Sequence, residues 1–591
     1  MYSHAVIHFE FTEVYVSRLK ICTLLLLIVL TACSAGTATD QQESTPAQSQ
    51  KPTRTPPPTA TVYATPTIEQ LPEGAFAGLP LPEDSGEYFS TAGVCAVCHD
   101  RMVDESGLDV SLAAYWRSTI LANAARDPYW QASTAVEIIE NPENESSIQD
   151  LCTKCHMPMA GFTANAEGED IRVEGYITAT HPLHNMAMDG VSCSLCHQVR
   201  EDGLGSASTN SGNYYIDSEL RKPDRLIFGP FSIDDSQADL MINSSGFRPQ
   251  QGLHLSNSTF CDTCHTLYTE YVDASGQVAG EFPAQVPYYE WFYSDYRRTR
   301  SCQDCHMPEA QGGVKIANTS DVLRSPFSAH VFVGGNVYML EMLNAFPDEL
   351  AVTASSEQFD ATIARTLDQL QNETATIDFE ELRVSGIYLT ANLQIENLAG
   401  HKFPTAFPSR RAWIHFVVRD VNGEIVFESG AWNPDGSIVG NANDVDATTF
   451  EQHYDAIVQP EQVQIYEAIL QDSEKRVTTV LLEAASYRKD NRLLPSGFEK
   501  QAPYQDIAVR GEAKEDDDFQ GGGDEIQYVI DLGENQGPFT VTVELLYQSI
   551  GYCWANNLSG YSDPLVESFM GYYNKVPNTP TVITSVSSKI E

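Results

Sequence analysis

Ten cysteines and five histidines fall into one repeated arrangement: Cys95-Ala96-Val97-Cys98-His99, Cys152-Thr153-Lys154-Cys155-His156, Cys193-Ser194-Leu195-Cys196-His197, Cys261-Asp262-Thr263-Cys264-His265 and Cys302-Gln303-Asp304-Cys305-His306. Two thiols about one helical turn apart can form thioethers to the two vinyl groups of a single porphyrin. The adjacent histidine is then placed under the iron as an axial ligand. At the frequencies of Cys and His in this chain roughly 0.01 such segments arise by chance, so five mark a function. A structural zinc site would need further Cys or His at paired spacing, and here every pair closes on its own His. Five c-type haems are the expected cofactors.

A low-spin iron needs a second axial ligand, usually His or Met. Apart from the motif histidines, and from His4 and His8 near the start of the chain, seven histidines remain: His181, His184, His254, His330, His401, His415 and His453. His181 and His184 stand just upstream of the third motif, His254 precedes the fourth, His330 follows the fifth, and His401 lies between two strand-like stretches; these are the candidate distal ligands. His415 alternates within the strand pattern Ala412 to Val418 and His453 has acidic and polar neighbours, so both read as structural. Met157 and Met307, directly after their motifs, sit on the proximal side of their own haems and read as packing residues.

The elements that position these groups begin with an address. Arg18 and Lys20 precede an apolar run, Ile21 to Leu30, too short to span a bilayer and flanked like an export signal. It ends in Leu30-Thr31-Ala32-Cys33, the pattern of a bacterial lipobox with Cys33 as the lipidated residue; residues 1–32 are the leader. Residues 33–75 form a Thr- and Pro-rich tether that cannot bury enough apolar surface to order itself. With Cys22 in the leader, only Cys553 is left over, so no disulfide framework is expected.

The organisation expected after the tether is multidomain α+β: a mainly helical and loop-built haem domain over 76–350, a helical connector over 351–375, and an antiparallel β-sandwich-like domain over 376–591. Apolar spacing predicts helices at Tyr115 to Arg126, stopping before Asp127-Pro128, and at Ser356 to Gln371. After Ala375 the period changes to alternation, predicting strands at Leu382 to Glu396, Arg411 to Asp420, Glu424 to Ser429, Gln462 to Leu470, Val477 to Glu483, Ile526 to Asp531 and Phe539 to Gln548. Within that module Glu515-Asp516-Asp517-Asp518 and Gly521-Gly522-Gly523-Asp524-Glu525 are a candidate Ca2+ loop without EF-hand spacing. The chain carries no Walker, Rossmann, GxSxG or HExxH pattern.

At His184 to His197, His254 to His265 and the two Cys-His-Met-Pro segments, the chain resembles the bacterial multihaem cytochromes c of the cytochrome c-554 and hydroxylamine-oxidoreductase-like superfamily, over about Cys95 to Gly335. The resemblance implies closely stacked haem pairs and, from His184 ahead of Gly190-Val191-Ser192-Cys193, a distal ligand reaching a neighbouring haem. Gly400-His401-Lys402-Phe403-Pro404-Thr405 through Trp413 also resembles a segment recurring in multihaem cytochromes with a β-rich C-terminal part. Five motifs depart from the four and eight of those relatives.

A formal net charge of -46 excludes a generic nucleic-acid binder and favours redox partners with basic docking surfaces. The function expected is electron transfer by an exported, lipid-anchored pentahaem protein on the periplasmic or extracellular face of the envelope. The alternative is a haem oxidoreductase with one open iron acting on a small nitrogen or sulfur species. No assembly state follows from the sequence.

Overall fold

The computed structural model describes residues 80–591 except 502 and 503. The leader, Cys33 and the whole of the tether lie outside the described residues. Among those described, no helix is long and apolar enough to cross a membrane.

Each of the five motifs closes a short helix. The helices Ala92–His99, Glu145–His156, Ser258–His265 and Cys302–His306 end on their motif histidine, and Cys193–Cys196 ends one residue before His197. This placement puts both thiols of a motif on adjacent turns of one helix face. The surrounding stretch to residue 350 is short helices and loops, with two-stranded ribbons at Leu226–Gly229 with Arg248–Gln251, Leu267–Val272 with Val278–Gln285, and Val314–Lys315 with Leu323–Arg324.

The helix expected over Tyr115 to Arg126 is different in the structure. A short helix, Leu112–Trp116, gives way to turns, and the longer helix is Pro128–Glu140. Side chains explain the break: Thr119 Oγ1 donates to the Trp116 carbonyl, and Asn123 Nδ2 donates to the carbonyls of Arg117 and Thr119. Local bonds of this kind compete with the helical ladder. Asp127-Pro128, expected as a stop, is a start: Asp127 caps the backbone N–H groups of Tyr129 and Trp130, and Pro128 occupies the first helical position.

The connector is a helix, Ser356–Asn372, opened by a reciprocal capping box between Ser355 and Gln358. Two sheets follow. One orders Ala456–Ile457, Gly523–Asp531, Tyr388–Asn397 and Ala375–Ser385; the other runs Val477–Thr478, Ile465–Gln471, Arg411–Arg419, Phe539–Gln548 and Thr581–Ile590, with Ile425–Ser429 and Ser486–Asp490 attached. Pairing is antiparallel apart from the short parallel contact of Ala456–Ile457 with Gly523–Asp531. The single strand expected at Leu382 to Glu396 is two, folded back at Gly386, whose φ of +63° suits a residue without Cβ. The strand expected at Val477 to Glu483 is only Val477–Thr478, and Thr581–Ile590 has no counterpart among the expected strands.

The sheets face each other. Val541, Val543 and Leu545 point inward from one, Leu389, Leu393 and Ile395 from the other, and the Phe416 and Tyr528 rings stack across the gap at 4.0 Å. A second core joins the motif-bearing stretch to the β-rich one: Tyr129, Ala132 and Val136 pack with Trp554, Val566 and Phe569. Burying each large apolar side chain contributes about 1.5–3 kcal/mol, so this shared core ties the two stretches into one unit.

Candidate functional site

Four of the five motif histidines are held by backbone carbonyls. Nδ1–H of His99 donates to Ile316, His156 to Ala124, His197 to Phe228 and His306 to Val333. With its proton on Nδ1, each neutral ring keeps the Nε2 lone pair for a metal. Burial favours that neutral form, pushing His99, His197 and His306 down and His156 to about 4. His265 is pushed to about 4 by burial and by His306, Arg410 and His401. The Trp130 ring lies flat on His156 at 4.3 Å and further fixes its plane.

Two of the candidate distal histidines stand opposite motif histidines. The His197 and His330 rings are 6.4 Å apart between centroids and within 13° of parallel; His306 and His401 are 6.3 Å apart and within 12°. An iron bonded on both sides takes about 2.0 Å per bond, and each ring adds about 1.1 Å from nitrogen to centroid, a span of about 6.2 Å. The centroid separation of each pair is therefore that of two imidazoles across one iron. His330 and His401 also send Nδ1–H to backbone carbonyls, of Ser328 and Lys402, and burial pushes His330 to about 3 and His401 down.

The remaining candidates differ. His184 Nδ1–H donates to the Tyr176 carbonyl, leaving Nε2 free. His254 does the reverse, donating Nε2–H to the Val199 carbonyl and keeping Nδ1. His181 Nδ1 accepts the Leu183 N–H, so its proton sits on Nε2 and neither nitrogen presents a lone pair outward. His415 has one nitrogen against Glu544 and the other against Glu428, and His453 is bound at both nitrogens.

The motif thiols adjoin across motifs. Cys95 lies beside Cys193, Cys155 beside Cys264, and Cys261 beside Cys302. The first motif therefore meets the third, and the fourth meets both the second and the fifth. Asp189 secures the first of these contacts, accepting the Ala92 N–H at 2.8 Å and the Ser192 hydroxyl.

Sequence reasoning missed the group that positions His401. Lys402 Nζ pairs with Asp490 at 2.7 Å, Arg492 with Asp490 at 2.8 Å and with Glu290 at 3.0 Å, all buried. Glu290 also accepts the Lys402 N–H and the Thr405 hydroxyl. Two cations and two anions thus clamp the loop after His401 to the helix Pro287–Phe292. Charged residues in the run Arg488 to Arg492 were the available signal. Met157 is fully buried among Ala125, Ala160 and Tyr176, and Cys553 is buried with its thiol pushed up to about 12 by burial.

No family model matches the sequence, and no curated protein matches it. Among solved structures the chain is similar to a penta-heme cytochrome c552 from Thermochromatium tepidum, at 15% identity and a TM-score of 0.47, covering 85% of this chain and 98% of that one.

Proposed function

We propose that the protein is a pentahaem electron carrier, each haem attached through one of the five Cys-x-x-Cys-His segments. The observation that carries the reading is the pairing of His197 with His330 and of His306 with His401 at the separation two imidazoles take across one iron. Haem supplies a reversible one-electron centre when bound; two histidines per iron close it to exogenous ligands and favour low potential. The thiol neighbours favour two groups of adjacent haems, the first beside the third, and the fourth beside both the second and the fifth. The fold contributes distance and burial. In this reading the lipobox holds the protein at the outer side of a membrane, and its acidic surface docks basic redox partners.

A second reading rests on His181. With His415 and His453 engaged at both nitrogens and His181 accepting at Nδ1, four histidines are left for five distal positions among the described residues. One iron would then lack a distal histidine; left open, it would make the protein an oxidoreductase for a small nitrogen or sulfur species.

Electron paramagnetic resonance of the ferric protein, with absorption spectra before and after nitrite, hydroxylamine and cyanide, separates the two. Wholly low-spin signals indifferent to these ligands are expected of the carrier. A high-spin signal that shifts on addition would replace it with the oxidoreductase.

A further inference from the structure

The β-rich part holds a second cluster of potential ligands that the haem reading does not use. Asp455 precedes the short strand Ala456–Ile457, Asp516 and Asp518 lie in the loop before Gly523–Asp531, and Asp524 is in that strand. One carboxylate oxygen from each of Asp455, Asp516 and Asp518 lies within 4.8 Å of the others, and Asp516, Asp524 and His453 form an overlapping group of the same size. Of the acids singled out from sequence, Glu515, Asp517 and Glu525 belong to neither group.

Acidic clusters are common without an ion; this one has a buried reason to hold one. Asp524 is only 3% exposed, and its Oδ1 has no hydrogen-bond partner. Its Oδ2 is taken, by the Tyr466 hydroxyl at 2.7 Å and by Gln464 Nε2 at 3.3 Å. Asp518 is not itself a buried residue, yet its Oδ1 is shielded from water and without a hydrogen-bond partner. Two carboxylate oxygens removed from water with nothing to bind are costly, more so beside other carboxylates. The neighbouring ammonium does not serve them: Lys500 Nζ donates to the backbone carbonyls of Ala513 and Asp516.

The hydrogen bonds also decide the kind of ion. Gln464 Oε1 accepts the Tyr454 N–H and Asn491 Oδ1 accepts the Glu467 N–H, which fixes both amides. Their NH2 groups therefore donate to His453 Nδ1, at 2.9 and 3.0 Å. The His453 proton must then sit on Nε2, which donates to Asp516 Oδ2 at 3.0 Å. His453 orients Asp516 and is not itself a ligand, so the donor set is oxygen alone. Several carboxylates on a loop suit a hard cation of flexible geometry, Ca2+, rather than zinc or another imidazole-seeking metal.

We propose that Asp455, Asp516 and Asp518, with Asp524 on the buried side, form a Ca2+ site that ties the loop before Gly523–Asp531 to the segment His453 to Asp455. Magnesium, which keeps its waters and demands octahedral geometry, binds more weakly there.

The test uses the full haem-loaded protein, stripped with a chelator and titrated with CaCl2 or MgCl2 in a calorimeter at physiological salt, with melting followed in parallel. One Ca2+ site is expected, together with a higher melting temperature that Mg2+ at equal concentration does not reproduce. Asp455→Asn, at an exposed position, and Asp518→Asn should each weaken Ca2+ binding at least tenfold. Asp531→Asn, exposed at the end of the strand, should leave it unchanged. Absence of saturable Ca2+ binding in the parent protein, or equal binding in D455N and D518N, would overturn the proposal.

Discussion

At the residue scale, the tautomer of each histidine sorts the candidate ligands. A ring whose Nδ1–H is held by a carbonyl has Nε2 to give, and that condition is met at His99, His156, His184, His197, His306, His330 and His401. Replacing a distal histidine should therefore leave its haem attached and open its iron. His330→Ala and His401→Ala are each expected to convert one haem of five from low to high spin, with cyanide then binding at that haem. An unchanged low-spin spectrum in both would remove these residues from the axial positions. The motif residues were legible because attachment chemistry is local in sequence. The partners were not: His197 and His330 are distant along the chain, and nothing local to either marks the other. The tautomer of His181 depends on the Leu183 N–H, a detail of backbone path that spacing does not carry.

At the element scale, buried charge holds the histidine-bearing segments in place. Asp490 is kept ionised, despite burial, by Arg492 and Lys402, and removing its charge leaves two buried cations short of one anion. Asp490→Asn should cost about 3–5 kcal/mol, read as a lower melting temperature. It should also produce a high-spin fraction at the haem of His401, because that loop loses its clamp. A loss of stability without any spectral change would separate the clamp from the ligand. Glu137 joins the helix Pro128–Glu140 to the β-rich part by accepting the N–H groups of Leu481 and Leu482, while burial pushes its carboxyl from 4.5 to about 7. A folded value above the unfolded one means that the folded state retains a proton the unfolded state releases. This contribution to stability is full below about pH 4.5 and is lost as pH rises through about 7, on the order of 3 kcal/mol. Asp127, Asp189 and Asp262, each raised to about 6 mainly by burial, act in the same direction. Melting temperature should fall between pH 5 and pH 8, and less steeply in Glu137→Gln; an identical slope in the variant would contradict the assignment. Elements with one clear apolar face were readable, as at Ser356–Asn372 and Phe539–Gln548. The turn at Gly386 was hidden because alternation continues through it, and Tyr115 to Arg126 misled because Thr119 and Asn123 bond to the backbone inside an apolar pattern.

At the scale of the whole molecule, a helical stretch that carries the motifs and a β-rich stretch that supplies His401 share one core. The mixed helix and sheet expected from the change of period at Ala375 is present, whereas the core between Tyr129 and Phe569 had no sequence signal, since packing partners are set by three-dimensional proximity. The net charge of -46 belongs to this scale as well. Electron transfer with a small basic protein should slow as ionic strength rises from about 10 to about 200 mM, because the Debye length falls from about 30 Å to below about 8 Å; a rate indifferent to salt would remove the electrostatic docking surface from the account. The central claim is that iron lies between His197 and His330 and between His306 and His401. Anomalous X-ray scattering from crystals of the mature protein at the iron edge tests it most directly. The account predicts five iron positions, one midway between the rings of each of these pairs. Iron absent from those two positions would contradict it.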